Sequence, residues 1–179
     1  NWAEYLYSYE DLLYLKGKKY HGQRNHINRF LREYPASEFL PYDEKMHDEM
    51  LIFLKEHYES LEKDNQWLRD ERYVIENRLL PQYSLLGQTG LIVKVDGKII
   101  AAAFGEILGD TLYVHFEKAL REYNGSYAII NQRFAEFCYI DGLKYINREE
   151  DLGDLGLRTA KLSLHPVEIT PKFSAKVDI

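Results

Sequence analysis

The sequence predicts an α/β (α+β) protein, a mixed and largely antiparallel sheet flanked by helices. Two β-rich runs, LIVKV (91–95) and KIIAAAFGEIL (98–108), are separated by Asp96-Gly97, a dipeptide that suits the left-handed residues of a tight hairpin turn. Amphipathic stretches with helical spacing lie on both sides of that hairpin. The 179 residues are 45% hydrophobic and 14% aromatic, which is ample for a packed core.

Taken in order, WAEYLY (2–7) reads as a strand. Ser8 caps the turn after it, with Asp11 in a shortened capping box. A helix from Lys18 to Tyr34 is stopped by Pro35; Tyr20, Ile27, Phe30, Leu31 and Tyr34 share its apolar face. Residues 37–41 enter a new unit as a strand. Asp43 caps a long helix that buries Met46, Met50, Phe53, Leu54, Tyr58 and Leu61. A second helix covers 68–80, with Leu68, Ile75 and Leu79 inward. After the hairpin, TLYVHFE (111–117) is a third strand. Ser126 opens a helix with Tyr127, Ile130, Phe134 and Phe137 on one stripe. A strand at 144–147, a helix from Asp154 to Leu164 and a strand at 167–175 complete the pattern. Strand runs interrupted by crossover helices give a mixed sheet.

The one cysteine, Cys138, excludes an internal disulfide and a cysteine-rich metal centre, and its spacing from Phe134 places it in a core. The histidines show no metal-ligand spacing. The apolar runs are far shorter than the roughly 20 residues that span a bilayer, and no signal peptide is recognisable, so the expectation is a soluble, cytoplasmic protein. Net charge is −6, but residues 16–32 carry Lys16, Lys18, Lys19, Arg24, Arg29 and Arg32 without an acid, whereas residues 43–76 are mostly acidic. A basic face on an acidic protein points to a specific anionic partner.

Residues 5–15 and 145–155 align at an offset of 140, with Tyr5, Glu10, Asp11, Leu12 and Leu15 matching Tyr145, Glu150, Asp151, Leu152 and Leu155. Lys18 falls on Arg158. The expectation is a tandem duplication in which residues 1–36 are the tail of a first unit and 37–179 a nearly complete second one.

The runs YLYSYEDLLYLKGKKYHGQRNHINRF, HFEKA and NREEDLGDLGLRTAKLSLHPVE resemble the bacterial family named after the C-terminal domain of phosphatidylglycerol lysyltransferase. That family is similar to the Fem aminoacyltransferases and has two tandem GNAT-like (N-acetyltransferase-like) domains. The resemblance implies the second half of such a tandem, with a cleft where the strands splay and the missing N-terminal domain as a partner. It further implies transfer of an aminoacyl or acyl group, from charged tRNA or another phosphate-bearing donor, to a small amine or hydroxyl acceptor. Many members are soluble proteins of unknown activity, and this chain is similar to those. An acetyl-CoA-dependent N-acetyltransferase and a non-catalytic ligand- or partner-binding module are the alternatives.

Acetyltransferases of this fold cradle the coenzyme A pyrophosphate on a Gln/Arg-x-x-Gly-x-Gly/Ala loop at a helix N-terminus. Counting from Arg121, Asn124 and Ser126 stand at the glycine positions, which disfavours acyl-CoA as donor; no cofactor is certain. His115 and Glu117, two apart on one strand, form either a general-base pair or part of a solvated face. Asn147, Glu149 and Asp151 leave a strand toward the cleft mouth, where they meet a substrate ammonium, or else Asp151 or Asp154 caps the helix that follows. Arg158 and Lys161 share a helical face and grip an anion or form surface ion pairs. Lys18, Lys19 and Arg24 are candidates for a phosphate backbone, or a plain solvated face. Asn131, beside an apolar stripe, needs a buried partner.

Overall fold

The computed structural model describes residues 3–61 and 65–172. Among these, seven strands form one sheet in the order β2-β3-β4-β5-β6-β1-β7. The strands are β1 (Ala3–Ser8), β2 (Glu38–Pro41), β3 (Thr89–Val95), β4 (Lys98–Leu108), β5 (Thr111–Ala119), β6 (Tyr145–Glu150) and β7 (Glu168–Pro171). Only β5 and β6 pair in parallel; all other neighbours are antiparallel. The β3–β4 hairpin turns on Asp96 and Gly97, both with positive φ (50° and 78°), as a primed turn requires. The final strand ends at Pro171; residues 173–175 of the expected 167–175 stretch, like Trp2 at the other end, lie outside the described residues.

The helices are α1 (Tyr9–Tyr14), α2 (His21–Glu33), α3 (His47–Glu59), α4 (Gln66–Val74), α5 (Ser126–Phe137) and α6 (Leu155–Leu162). Ser8 accepts from the Asp11 N–H to cap α1, and Asp43 caps a 3-10 turn that leads into α3. The helix expected from Lys18 begins as a separate 3-10 turn, Lys18–Tyr20, because Gly17 (φ 86°) and the left-handed Leu15 break the path from α1. Beyond α4 the backbone widens into a π turn, Ile75–Leu79, which buries Ile75, and the helical path then runs through Pro81 as a 3-10 turn, Leu80–Gln82, rather than stopping before it. On α5 the stripe is rotated from the expected one: Ile129, Ile130, Phe134 and Ala135 are buried, whereas Tyr127 and Phe137 are exposed.

Helix α5 packs against β3, β4 and β5, and also against α1 and α2; α3 packs against β4 and α4. On β5, Glu117 joins Asn131 of α5 around one small cavity, while the next residue, Lys118, reaches Glu71 of α4 and the Tyr58 ring of α3. Successive strand residues point to opposite faces, so α5 and the α3–α4 pair cover opposite sides of the sheet. Phe104 and Phe116 stack at 4.7 Å across the β4–β5 pair, a geometry worth about 0.5–1.5 kcal/mol beyond area burial.

The abundant tyrosines have a structural use. Tyr5, Tyr7, Tyr9 and Tyr20, all in the first 20 residues, are buried and donate to Asp151, to the Lys161 carbonyl, to the Ala135 carbonyl and to the Leu164 carbonyl. Each stitches the N-terminal segment to α5, α6 or the loops around α6, and each hydroxyl is satisfied as burial demands. The two stretches aligned in the sequence lie side by side: β1 pairs with β6, Tyr7 opposite Ile146.

Candidate functional site

The parallel strands β5 and β6 are paired over only three residues each, the last being Tyr113 and Asn147. Beyond that point they part, and a cavity of about 560 Å³ opens among β5, β6, α3, α4, α5 and α6. Its walls mix apolar side chains (Leu61, Leu68, Leu157, Leu164) with a polar set drawn from different elements. Concave sites of this size, mainly apolar with a few convergent polar groups, suit a small ligand or the reactive end of a large one.

Three of those polar groups meet across the parting strands. Arg148 Nη2 donates to Glu117 Oε1 at 2.8 Å, with the two side chains only 16% and 7% exposed. With its amide oriented to satisfy both polar atoms, Asn131 accepts from the same guanidinium at 2.5 and 3.2 Å. Burial raises the Glu117 carboxyl above the ordinary carboxylate range, against the opposing pull of Arg148, Lys161 and Asn131. Beside them lies Lys161, 7% exposed, whose ammonium donates to the backbone carbonyls of Arg148 and of Glu149 (3.3 Å) and stands 5.6 Å from the Tyr5 ring centroid. Burial, followed by the Arg148 charge, lowers Lys161 to about 8, so it exchanges its proton near neutral pH.

The carboxylates lining the cavity are already engaged: Glu71 with Lys118, Glu117 with Arg148, Asp151 with Arg158, and Asp154 as the cap of α6. Arg121 also lines it and, among the described residues, has no carboxylate partner. Among the described residues, Arg121 and Lys161 are therefore the lining cations that have no carboxylate partner.

His115 and Glu117 do not share a face. Phe104 pairs with Phe116 and Gly105 with Val114, so His115 has no opposite number on β4 and the alternation of β5 reverses there. Gly105 permits this, since a Cβ at that position would come within 2.1 Å of the Tyr113 carbonyl oxygen. Glu117 therefore faces the cavity, and His115 lies on the opposite side of the sheet between Glu149 (2.8 Å from Nδ1) and Glu106 (3.1 Å from Nε2). The expected general-base pair is not formed.

The other candidates divide. Asp151 and Lys161 line the cavity; Asn147, Glu149 and Arg158 do not. Asn147 donates to Glu4 and accepts from the Glu149 N–H, both within the sheet. Asp151 receives Arg158 on both oxygens (2.5 and 3.1 Å), the Tyr5 hydroxyl at 2.6 Å and the Gly153 N–H, which leaves it little capacity for a substrate ammonium. The N-cap of α6 is Asp154 rather than Asp151. Lys18, Lys19 and Arg24 lie away from the cavity: Lys19 pairs with Asp11 at 2.8 Å, and Arg24 donates to the carbonyls of Leu15 and Gly17, closing the end of α1. Cys138 is buried and burial pushes its thiol up to about 12, so it is a core residue. At the start of α5, Gly125 is left-handed and a Cβ there would come within 2.3 Å of the His26 carbonyl oxygen; α2 thus packs directly on the turn.

Sequence reading passed over Arg148 and Arg121 as site residues and assigned Asn131 a structural bond. The usable signal was that Arg148 alternates with Asn147 and Glu149, so it points to the opposite face from both.

A mixed, mostly antiparallel sheet with a cavity between two parting parallel strands gives the chain a GNAT-like fold. A possible acetyltransferase from Clostridium difficile shares the fold, with a TM-score of 0.50 and 14% identity over 80% of this chain and 98% of that one. The chain belongs to the phosphatidylglycerol lysyltransferase C-terminal family, whose sequence model matches residues 1–176. It is similar to a conserved protein of unknown function from Bacteroides thetaiotaomicron, with 41% identity and a TM-score of 0.86 over 94% of this chain and 57% of that one. The C-terminal domain (DUF2156) of a putative lysylphosphatidylglycerol synthetase from Agrobacterium fabrum shares the fold, with a TM-score of 0.63 and 18% identity over 95% of this chain and 58% of that one. The chain thus spans a little over half the length of these solved relatives. No curated protein matches it. Among the described residues no helix is long and apolar enough to cross a membrane.

Proposed function

We propose that the cavity between β5 and β6 holds an acyl or aminoacyl ester and passes the acyl group to an amine or hydroxyl acceptor. The observation that carries this reading is the convergence of Glu117, Arg148, Asn131 and Lys161 where the strands part. Arg148 and Asn131 hold the Glu117 carboxylate in place. The Lys161 ammonium donates a hydrogen bond to the ester carbonyl as negative charge develops on it. The acceptor forms its new bond to the carbonyl carbon, the ester C–O bond breaks, and the acceptor's proton passes by way of the Glu117 carboxylate to the departing alkoxide. Orientation in a largely apolar cleft supplies much of the effect.

A charged tRNA fits the donor role better than coenzyme A in this reading. The turn that opens α5 is packed against α2 and lacks the glycine pattern of a pyrophosphate loop. The exposed basic residues Lys18 and Arg32 lie on the N-terminal segment, available to a phosphate backbone, with Lys19 held by Asp11 beside them. Residues 1–36 act as the end of a first GNAT-like unit in the parent protein and 37–179 as the second.

The position of His115 outside the cavity favours one other reading, a module that binds such a ligand without turnover. Filter binding of the full-length protein to charged tRNA across a salt series, followed by assay of amino acid transfer to small amines, separates the two. Salt-dependent binding with transfer is expected. Binding without transfer supports the silent module, and no salt-dependent binding overturns the donor assignment.

A further inference from the structure

One dipeptide joins the two faces of the sheet. The side chain of Arg148 reaches Glu117 on the cavity side, and the side chain of Glu149 reaches His115 on the other. The backbone carbonyls of both residues turn to the same place, the ammonium of Lys161. Glu149 carries this with φ at 53°, a left-handed conformation that a side chain disfavours. Its N–H is pinned by Asn147 Oδ1 at 2.8 Å, and Asn147 is in turn held by Glu4. A strained non-glycine residue persists where its surroundings over-determine it, and such residues gather at functional sites.

We infer that His115 is a positioning residue for Lys161: by holding the Glu149 carboxylate from the far side of the sheet, it keeps residue 149 left-handed and so keeps the carbonyls of 148 and 149 aimed at the cavity ammonium. The inference rests on the cavity being the site proposed above, but its chain of contacts is independent of which acyl donor the site takes. His115 is itself held on its second nitrogen by Glu106 from β4, so the groups facing it are Glu106 and Glu149. It can stay in place only while β4, β5 and β6 keep their register. The cavity lysine is thereby coupled to a contact on the outer face that no substrate need touch.

Removing the Glu149 side chain has opposite consequences according to what replaces it. Alanine loses the His115 contact and keeps the penalty of a Cβ at positive φ, so the backbone relaxes and the carbonyls leave Lys161. Glycine also loses the contact but adopts positive φ freely, so the carbonyls stay. Hydrogen bonds to carbonyls favour the charged amine, and losing them raises its neutral, reactive fraction.

Competitive trace labelling of the full-length protein with acetic anhydride at neutral pH, read peptide by peptide by mass spectrometry, reports that fraction without any substrate. Glu149→Ala and His115→Ala are expected to raise Lys161 labelling several-fold, about fivefold at pH 7 for the first unit lost from a value near 8. Glu149→Gly and His115→Gln, the latter keeping a donor toward Glu149, are expected to stay near wild type, and Lys94 and Lys98 to be unchanged in all four. Thermal unfolding identifies any variant that fails to fold, and the glycine and glutamine variants retain the comparison in that case. Equal labelling in Glu149→Ala and Glu149→Gly, or wild-type labelling in His115→Ala, overturns the inference. Transfer activity with unchanged labelling removes this coupling alone; the expected labelling in a protein that transfers nothing removes the functional reading alone.

Discussion

Glu117 on β5 and Arg148 on β6 meet at 2.8 Å just beyond Tyr113 and Asn147, the last residues through which the two strands pair. The ion pair bridges the parted strands through side chains rather than through the backbone ladder. It lies within the protein, with Asn131 of α5 completing the guanidinium's contacts.

Breaking this pair from one side leaves a buried charge. Arg148→Ala is expected to cost about 3–5 kcal/mol at neutral pH, whereas replacing both partners by methionine costs far less. Because burial already raises the Glu117 carboxyl, protonation relieves the lone acid and the cost of Arg148→Ala shrinks as pH falls. Urea unfolding at pH 7 and at pH 5 checks both statements.

Two histidines are expected to titrate in opposite directions. His57, buried against the Ala119 carbonyl, is pulled down to about 4 by burial and then by Lys118. His115 is raised above its ordinary 6.5 by its hydrogen bond to Glu149, with burial opposing. A raised value means that the stability His115 contributes is fully present below 6.5 and is lost as pH rises through its folded value. Imidazole NMR titration should show His57 neutral at pH 6 and His115 still charged there. His115→Gln should remove the loss of stability above that window.

Asp151 gives the acid side of the profile. Hydrogen bonding from Arg158, against opposing burial and with help from Tyr5 and the Gly153 N–H, holds its carboxyl well below the usual carboxylate range. Its contribution is present above the unfolded value near 3.9 and is lost as pH falls through the folded one. Asp151→Asn is expected to cost about 1–3 kcal/mol at neutral pH, toward the low end because Arg158 is 39% exposed. The difference from wild type should close in strong acid, as followed by chemical denaturation.

Much of the architecture was legible because local chemistry and global fold agree. Asp96-Gly97 demanded a primed hairpin turn, Ser8, Asp43 and Asp154 carried caps, and strand alternation was sound wherever the ladder is regular. The site was harder to read for a specific reason. Period-two reasoning puts His115 and Glu117 together, and one residue without a partner on β4 sends them to opposite faces. Gly105 was the visible clue, an interior strand glycine where another backbone approaches closely. The burial of Lys161 depends on the carbonyls of Arg148 and of a left-handed Glu149, a conformation that nothing local to that sequence requires. Rotation of the α5 stripe has the same origin, since Ile129 and Ala135 are claimed by the sheet and by the Tyr9 hydroxyl at the Ala135 carbonyl.

Ala160 lines the cavity from an exposed position on α6, so a large side chain there fills the space without disturbing the core. The most direct test is the rate of labelled aminoacyl transfer from charged tRNA to a small amine by the full-length protein, with and without Ala160→Trp. Transfer by the wild type, lost by at least about tenfold in a variant that unfolds at the same temperature, is the expected result. Undiminished transfer by Ala160→Trp would contradict the assignment of the chemistry to the space between β5 and β6.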